Sequence, residues 1–162
     1  MSTTGVQSET HRALTALAAM PRQIVRIARG CNDLQLHRNP APGAWSARDI
    51  LAHLRACAEV WGRSIDRMIT EDQPTIRYIS PRGWIKRTNY LEQSFRDSLR
   101  AFSEARVGFV DRLSSLEPAA WSRGATFSGA RTGADATVLG YARRILDHEA
   151  VHLDQIRRTL GR

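Results

Sequence analysis

The sequence predicts an all-α protein, a four-helix bundle with a long crossover between the second and third helices. Three observations predict it. Four stretches repeat apolar residues at helical spacing, no stretch shows convincing strand alternation, and the connections are rich in Pro, Gly and Asn. The 162 residues read as one domain spanning 1–162, with a globular balance of 42% hydrophobic and 25% charged residues and no internal repeat.

The first segment, 8–29, turns Leu14, Leu17, Ala18, Ile24, Ile27 and Ala28 inward, and Pro21 within it predicts a kink or a division into two short helices. Gly30 supplies the stop. His11 reads as a surface residue, and His37, in a connection with Asn39, Pro40, Pro42 and Gly43, as a solvated one. The second segment has a defined start. Ser46 with Asp49 three residues on resembles a capping box, and Trp45 stands where a hydrophobic staple would fold back on the first turn. Ile50, Leu54, Cys57, Trp61, Ile65 and Met68 then form one apolar stripe, with His53 on its inner edge and Arg48, Arg55, Glu59 and Asp66 opposite.

A connection over 71–87 follows. Fully extended it could reach roughly 56 Å, while a helix of about 25 residues is only about 38 Å long. The chain can therefore cross the whole bundle, so that the second and third helices run parallel. The third segment, 88–115, carries Leu91, Phe95, Leu99, Phe102, Phe109 and Leu113 on one face, continued by Leu116. A second long connection passes Pro118, Trp121, Gly124, Gly129 and Gly133, with Trp121 expected against a bundle end. The fourth segment begins near Thr137, capped by Asp135 or Thr137.

Chemistry concentrates in that last segment. At about 100° per residue His148 and His152 stand about 40° apart and one turn from each other, so that both rings can reach one ion. The letters His148-Glu149-x-x-His152 also spell a zinc-protease helix, but the extended form of that motif needs a histidine where this chain has Arg158. A third ligand is therefore expected upstream, from His11, His37 or His53. Tyr141, Arg144, Gln155 and Thr159 share the stripe with the histidine pair, and the first three are candidates for holding a substrate. Glu149 projects about 100° away, towards the apolar stripe of Val138, Ile145, Leu153, Ile156 and Leu160. A carboxylate there needs a partner: either it orients a histidine or carries a proton as a catalytic group, or it is bound by an arginine. Heights agree with His53. It lies about 10 Å from the start of its helix and the histidine pair about 15 Å from the end of theirs, so antiparallel packing brings all three level.

Together, Gly43-x-Trp45-Ser46-x-x-Asp49-x-x-x-His53-Leu54 and His148-Glu149-x-x-His152-x-x-Gln155-Ile156 resemble the DinB-like superfamily of small metal-binding helical bundles, over essentially the whole chain. The resemblance implies an up-down-down-up bundle, a divalent metal on His53, His148 and His152, and a homodimer. It also implies kinship with S-transferases that use a low-molecular-weight thiol as cosubstrate. Many relatives carry a further histidine where this chain has Val151.

Three neutral imidazoles leave a divalent ion an open position, the arrangement of a catalytic site. Zinc is the first expectation, with nickel, iron or manganese also compatible with imidazole. Cys57, one turn after His53, stands near enough in sequence to be a fourth ligand, but a small buried cysteine ordinarily only packs and is read so here. The expected function is a metal-dependent S-transferase acting on a small molecule. A metal-dependent hydrolase is the alternative, and a non-catalytic, stress-associated metal-binding bundle the third reading. A net charge of +8 and a pI near 10.9 raise the question of nucleic acid, yet the basic residues are spread through every segment, so no specific nucleic-acid partner is expected. The polar first ten residues lack a signal-peptide layout and no apolar stretch approaches a membrane span, which predicts a cytoplasmic protein without a membrane partner. Two cysteines, Cys31 and Cys57, are too few for a disulfide framework.

Overall fold

The computed structural model describes residues 3–129 and 136–162. Helix α1 (Thr3–Ala28) is followed by the short α2 (Asp33–His37) and by α3 (Ala47–Thr70); then come strand β1 (Thr75–Arg77), the single turn α4 (Pro81–Trp84) and α5 (Phe95–Ser114). Strand β2 (Thr126–Ser128) and α6 (Val138–Thr159) complete the order. The four long helices α1, α3, α5 and α6 make the bundle.

Residue pairings give each helix its direction. Along α3 and α6, Arg144 lies over Trp61, His148 meets Cys57 and His53 meets His148, so the two run antiparallel. Arg55 bonds Ser98 and Arg112 bonds Asp66, which makes α3 and α5 parallel. Arg143 pairs with Glu9 and Arg162 reaches the Arg29 carbonyl, which makes α1 and α6 parallel. The bundle is therefore up-down-down-up, and the crossover supplies the return. It lies against α3, where the Trp84 indole N–H and the Tyr90 hydroxyl each donate to Glu59 Oε2 at 2.8 Å.

The stripe expected on the second long helix is the core of the molecule: Ile50, Leu54, Ile65 and Met68 are fully buried, and Cys57 and Trp61 nearly so. Its first turn is held as the sequence predicts. The Ser46 hydroxyl accepts from the Asp49 N–H at 3.2 Å, while the Ser46 N–H donates to Asp49 Oδ2 at 3.1 Å. Replacing Ser46 with Ala removes one of these bonds; about 1 kcal/mol of stability should go with it, a fall of about 2–4 °C in Tm for a chain of this size. Thermal melts of the variant check this, and an unchanged Tm would count against the cap.

Four expectations are corrected. Helix α1 is not divided at Pro21: the proline is buried inside one continuous helix, whose packing against both α5 and α6 holds it across the lost backbone bond. The third long helix begins at Phe95, not near residue 88, so Leu91 sits in the preceding turn, 42% exposed, and not on the core face. Ser94 caps it, and the Phe95 N–H donates to His37 Nε2 at 3.3 Å, so His37 is a half-buried fastening of that helix end and not a solvated residue. Lastly, two strands do exist. They pair in parallel, Ile76 opposite Phe127, tying the crossover to the second connection; at three residues each they are too short to show alternation in sequence. Trp121, beyond α5, is 4% exposed and joins the core. Thr137 caps α6, its hydroxyl accepting from the Gly140 N–H at 3.1 Å; Asp135, the other candidate, lies outside the described residues.

Candidate metal centre

Helices α3 and α6 bring His53, His148 and His152 together. His148 Nε2 lies 3.2 Å from His53 Nε2 and 3.1 Å from His152 Nε2. A neutral imidazole nitrogen can donate or accept one hydrogen bond, so His148 Nε2 cannot satisfy both neighbours. His152 Nδ1 bonds Gln155 Oε1 at 2.7 Å; an amide oxygen only accepts, which puts the ring proton on Nδ1 and leaves the Nε2 lone pair facing the cluster. Crowded acceptor nitrogens call for a cation: the donor atoms of His53 and His148, with Cys57 Sγ, lie within 4.8 Å of one another, and His152 joins them through His148. With zinc–nitrogen bonds of about 2.0–2.1 Å at tetrahedral angles, ligand nitrogens stand about 3.3–3.4 Å apart, close to the separations found. The residues fit a divalent ion.

Electrostatics favour the neutral rings that a ligand set requires. Burial, then the neighbouring His152 and Arg82, lowers His53 to about 4. Burial, then His152, His53 and Arg144, lowers His148 to about 4. His152 is lowered by burial, an effect opposed by its bond to Gln155. These shifts carry a stability consequence for the metal-free protein. Because the folded-state values lie below the ordinary 6.5, the unfolded chain binds more protons between pH 6.5 and 4. Their contribution is then fully present above about pH 6.5 and is lost as the pH falls through 4; discounted for the solvent that reaches these half-open, mutually coupled rings, it amounts to roughly 2–4 kcal/mol. Urea melts of chelator-treated protein at pH 7 and pH 4.5 measure it; a His148→Gln variant should show a shallower dependence.

Two tryptophans wall the centre, and each carries an arginine. The Trp45 ring lies 5.1 Å from that of His53 and stacks on His152 at 6.3 Å, with the Arg82 guanidinium 5.9 Å from its centre. Trp61 meets His148 edge-on at 4.9 Å, with the Arg144 guanidinium over its ring at 4.9 Å. Trp45, expected only as a staple, therefore also packs against two of the candidate ligands. An open groove of about 600 Å³ leads to His152 between Trp45, Arg82, Gln155 and Arg158. Cys57 also points inward, its Sγ 3.4 Å from His53 Nε2 and 3.9 Å from His148 Nε2. Burial, then Glu149, pushes its thiol up to about 12.

The remaining candidates separate. Gln155 is at the site, as the partner of His152. Arg144 flanks it through Trp61. Tyr141 turns away: it is 6% exposed and stacks on Phe127 at 5.2 Å. Glu149 is 2% exposed and its Oε1 accepts from Arg106 Nη2 on α5, itself 3% exposed. Of the two readings the sequence allows for this carboxylate, the structure contains the arginine pair, and among the described residues it bonds no imidazole. His11 is exposed on α1.

An up-down-down-up helical bundle whose antiparallel second and fourth long helices bring three imidazoles side by side defines a class of protein suited to holding a metal ion. The chain belongs to the DinB superfamily, whose family model matches residues 16–156. Among solved structures it is similar to that of YfiT from Bacillus subtilis, described as a probable metal-dependent hydrolase with an unusual four-helix bundle topology. That likeness has a TM-score of 0.75 at 19% identity, covering 94% of this chain and 87% of the other, and it establishes the fold. No curated protein matches the sequence. Among the described residues no helix is long and apolar enough to cross a membrane.

Proposed function

We propose that the protein is a metal-dependent enzyme that holds a divalent ion on His53, His148 and His152 and hydrolyses a small substrate bearing an anionic group. The observation that carries this reading is the convergence of three imidazole nitrogens within 3.1–3.2 Å of neighbour to neighbour at the head of an open groove. A divalent ion in such a set supplies Lewis acidity and acidifies a bound nucleophile, water for hydrolysis or a low-molecular-weight thiol for S-transfer. The chain's own residues do the rest. Gln155 keeps the His152 ring in one tautomer and orientation; Trp45 and Trp61 stand against the histidines; Arg82 and Arg158 line the groove, where a carboxylate or phosphate on the substrate would be held. Kinship with a fold described as that of a hydrolase supports water as the nucleophile. Family membership supports the thiol as a second reading.

The test is a panel of small esters, amides and alkyl electrophiles, each with and without a carboxylate, offered to zinc-loaded and chelated protein in the presence and absence of low-molecular-weight thiols. Thiol-independent cleavage that stops on chelation, returns with zinc and prefers the acidic substrates is the expected result. Turnover that needs the thiol identifies the S-transferase. A protein that unfolds on chelation and turns over nothing would be a structural metal protein, and the enzyme reading would be lost.

A further inference from the structure

We propose that Cys57 is a fourth ligand of the same centre, so that the resting ion is held by three imidazoles and one thiolate. This rests on the metal-centre reading above and goes beyond its open three-histidine form. Two i, i+4 pairs face each other across antiparallel helices: His53 with Cys57 on α3, and His148 with His152 on α6. Each pair places both donor groups on one side of its helix. The donor atoms of His53, Cys57 and His148 all lie within 4.8 Å of one another, and His148 Nε2 is shared with His152 at 3.1 Å.

The distances suit a sulfur ligand. With zinc–sulfur near 2.3 Å and zinc–nitrogen near 2.0–2.1 Å, a tetrahedral angle separates S from N by about 3.5–3.6 Å. Cys57 Sγ stands 3.4 and 3.9 Å from the His53 and His148 nitrogens, which brackets that value, and His152 completes the set from the far side of His148. On binding, the S–H bond gives way to a metal–sulfur bond and the proton leaves to solvent. Two consequences follow. A thiolate selects zinc or cobalt over manganese, which narrows the metals that imidazole alone would admit. It would also lower the charge of the centre by one.

Cobalt(II) reports the ligand directly, because a thiolate on cobalt gives an intense charge-transfer band in the near ultraviolet that imidazoles do not. Metal-free wild type, Cys57→Ala, Cys57→Ser, Cys31→Ala and His53→Ala would be titrated with Co²⁺, with bound metal counted and helix content followed by circular dichroism. Wild type and Cys31→Ala should each bind one ion and show the band. Both Cys57 variants should keep their helix content and lose the band, and bind cobalt about tenfold or more weakly, since a ligand should matter at least as much as the groups that orient ligands. One bound cobalt in wild type without the band, or a band surviving in both Cys57 variants, overturns the proposal and leaves the three-histidine centre intact. Wild type that binds no cobalt stoichiometrically, or His53→Ala that binds it as well as wild type does, overturns the centre itself.

Discussion

His148→Ala is expected to abolish stoichiometric metal binding and, with it, any metal-dependent turnover. Of the three rings, His148 is the one whose Nε2 approaches both of the others, at 3.2 and 3.1 Å, so its removal leaves two nitrogens without the member between them. Affinity should fall by about a hundredfold or more, beyond the 10–100-fold typical when only an orienting partner of a ligand is lost. Gln155→Leu marks that milder case. It removes the acceptor at 2.7 Å that fixes the His152 ring and keeps all three imidazoles, and should weaken binding by about 10–100-fold. Equilibrium dialysis against a competing chelator, with metal counted by mass spectrometry, ranks wild type, Gln155→Leu and His148→Ala. His11→Ala, altered at an exposed position on α1, should bind as wild type does. Full metal occupancy in His148→Ala would remove the site.

That the three histidines come together was legible because its signal is local and periodic. Residues four apart on a helix share a face whatever the tertiary structure, and Ser46 with Asp49 fixes where α3 begins, which sets the height of His53. What sequence reasoning missed depends on contacts between distant segments. Trp45 stands over His53 and His152 because α3 and α6 meet there, and no spacing within either helix carries that information. Cys57 fits the packing stripe of α3 as well as the centre, and a stripe does not distinguish a packed thiol from one aimed at an ion. Arg106 is different, because its signal is local: it falls four after Phe102 and three before Phe109, on the buried face of α5, where a cation needs a carboxylate such as Glu149 on the buried face of α6.

That pair supplies the second large effect. Arg106→Met should destabilise the protein by about 3–5 kcal/mol, because it strands the Glu149 carboxylate at 2% exposure. Tm should fall by roughly 10 °C. Adding Glu149→Leu to Arg106→Met should restore most of the loss, since apolar side chains of similar volume replace a buried ion pair at little net cost. In the single variant the deficit should shrink in acid. Burial pushes the Glu149 carboxyl up even against the opposing pull of Arg106, so without the arginine the folded state binds the proton more tightly still than the unfolded one does. A raised folded-state value gives stability that is present at low pH and lost as the pH rises through it, opposite in sign to the histidines. Urea melts at pH 5 and pH 8 read both parts. The double variant also decides what Glu149 does. If the carboxylate carried a proton in the reaction, the zinc-loaded double variant would lose about 10²–10⁴-fold in kcat despite its recovered fold. A carboxylate whose partner is Arg106 predicts turnover within about threefold of wild type, because the imidazoles and the groove would be untouched.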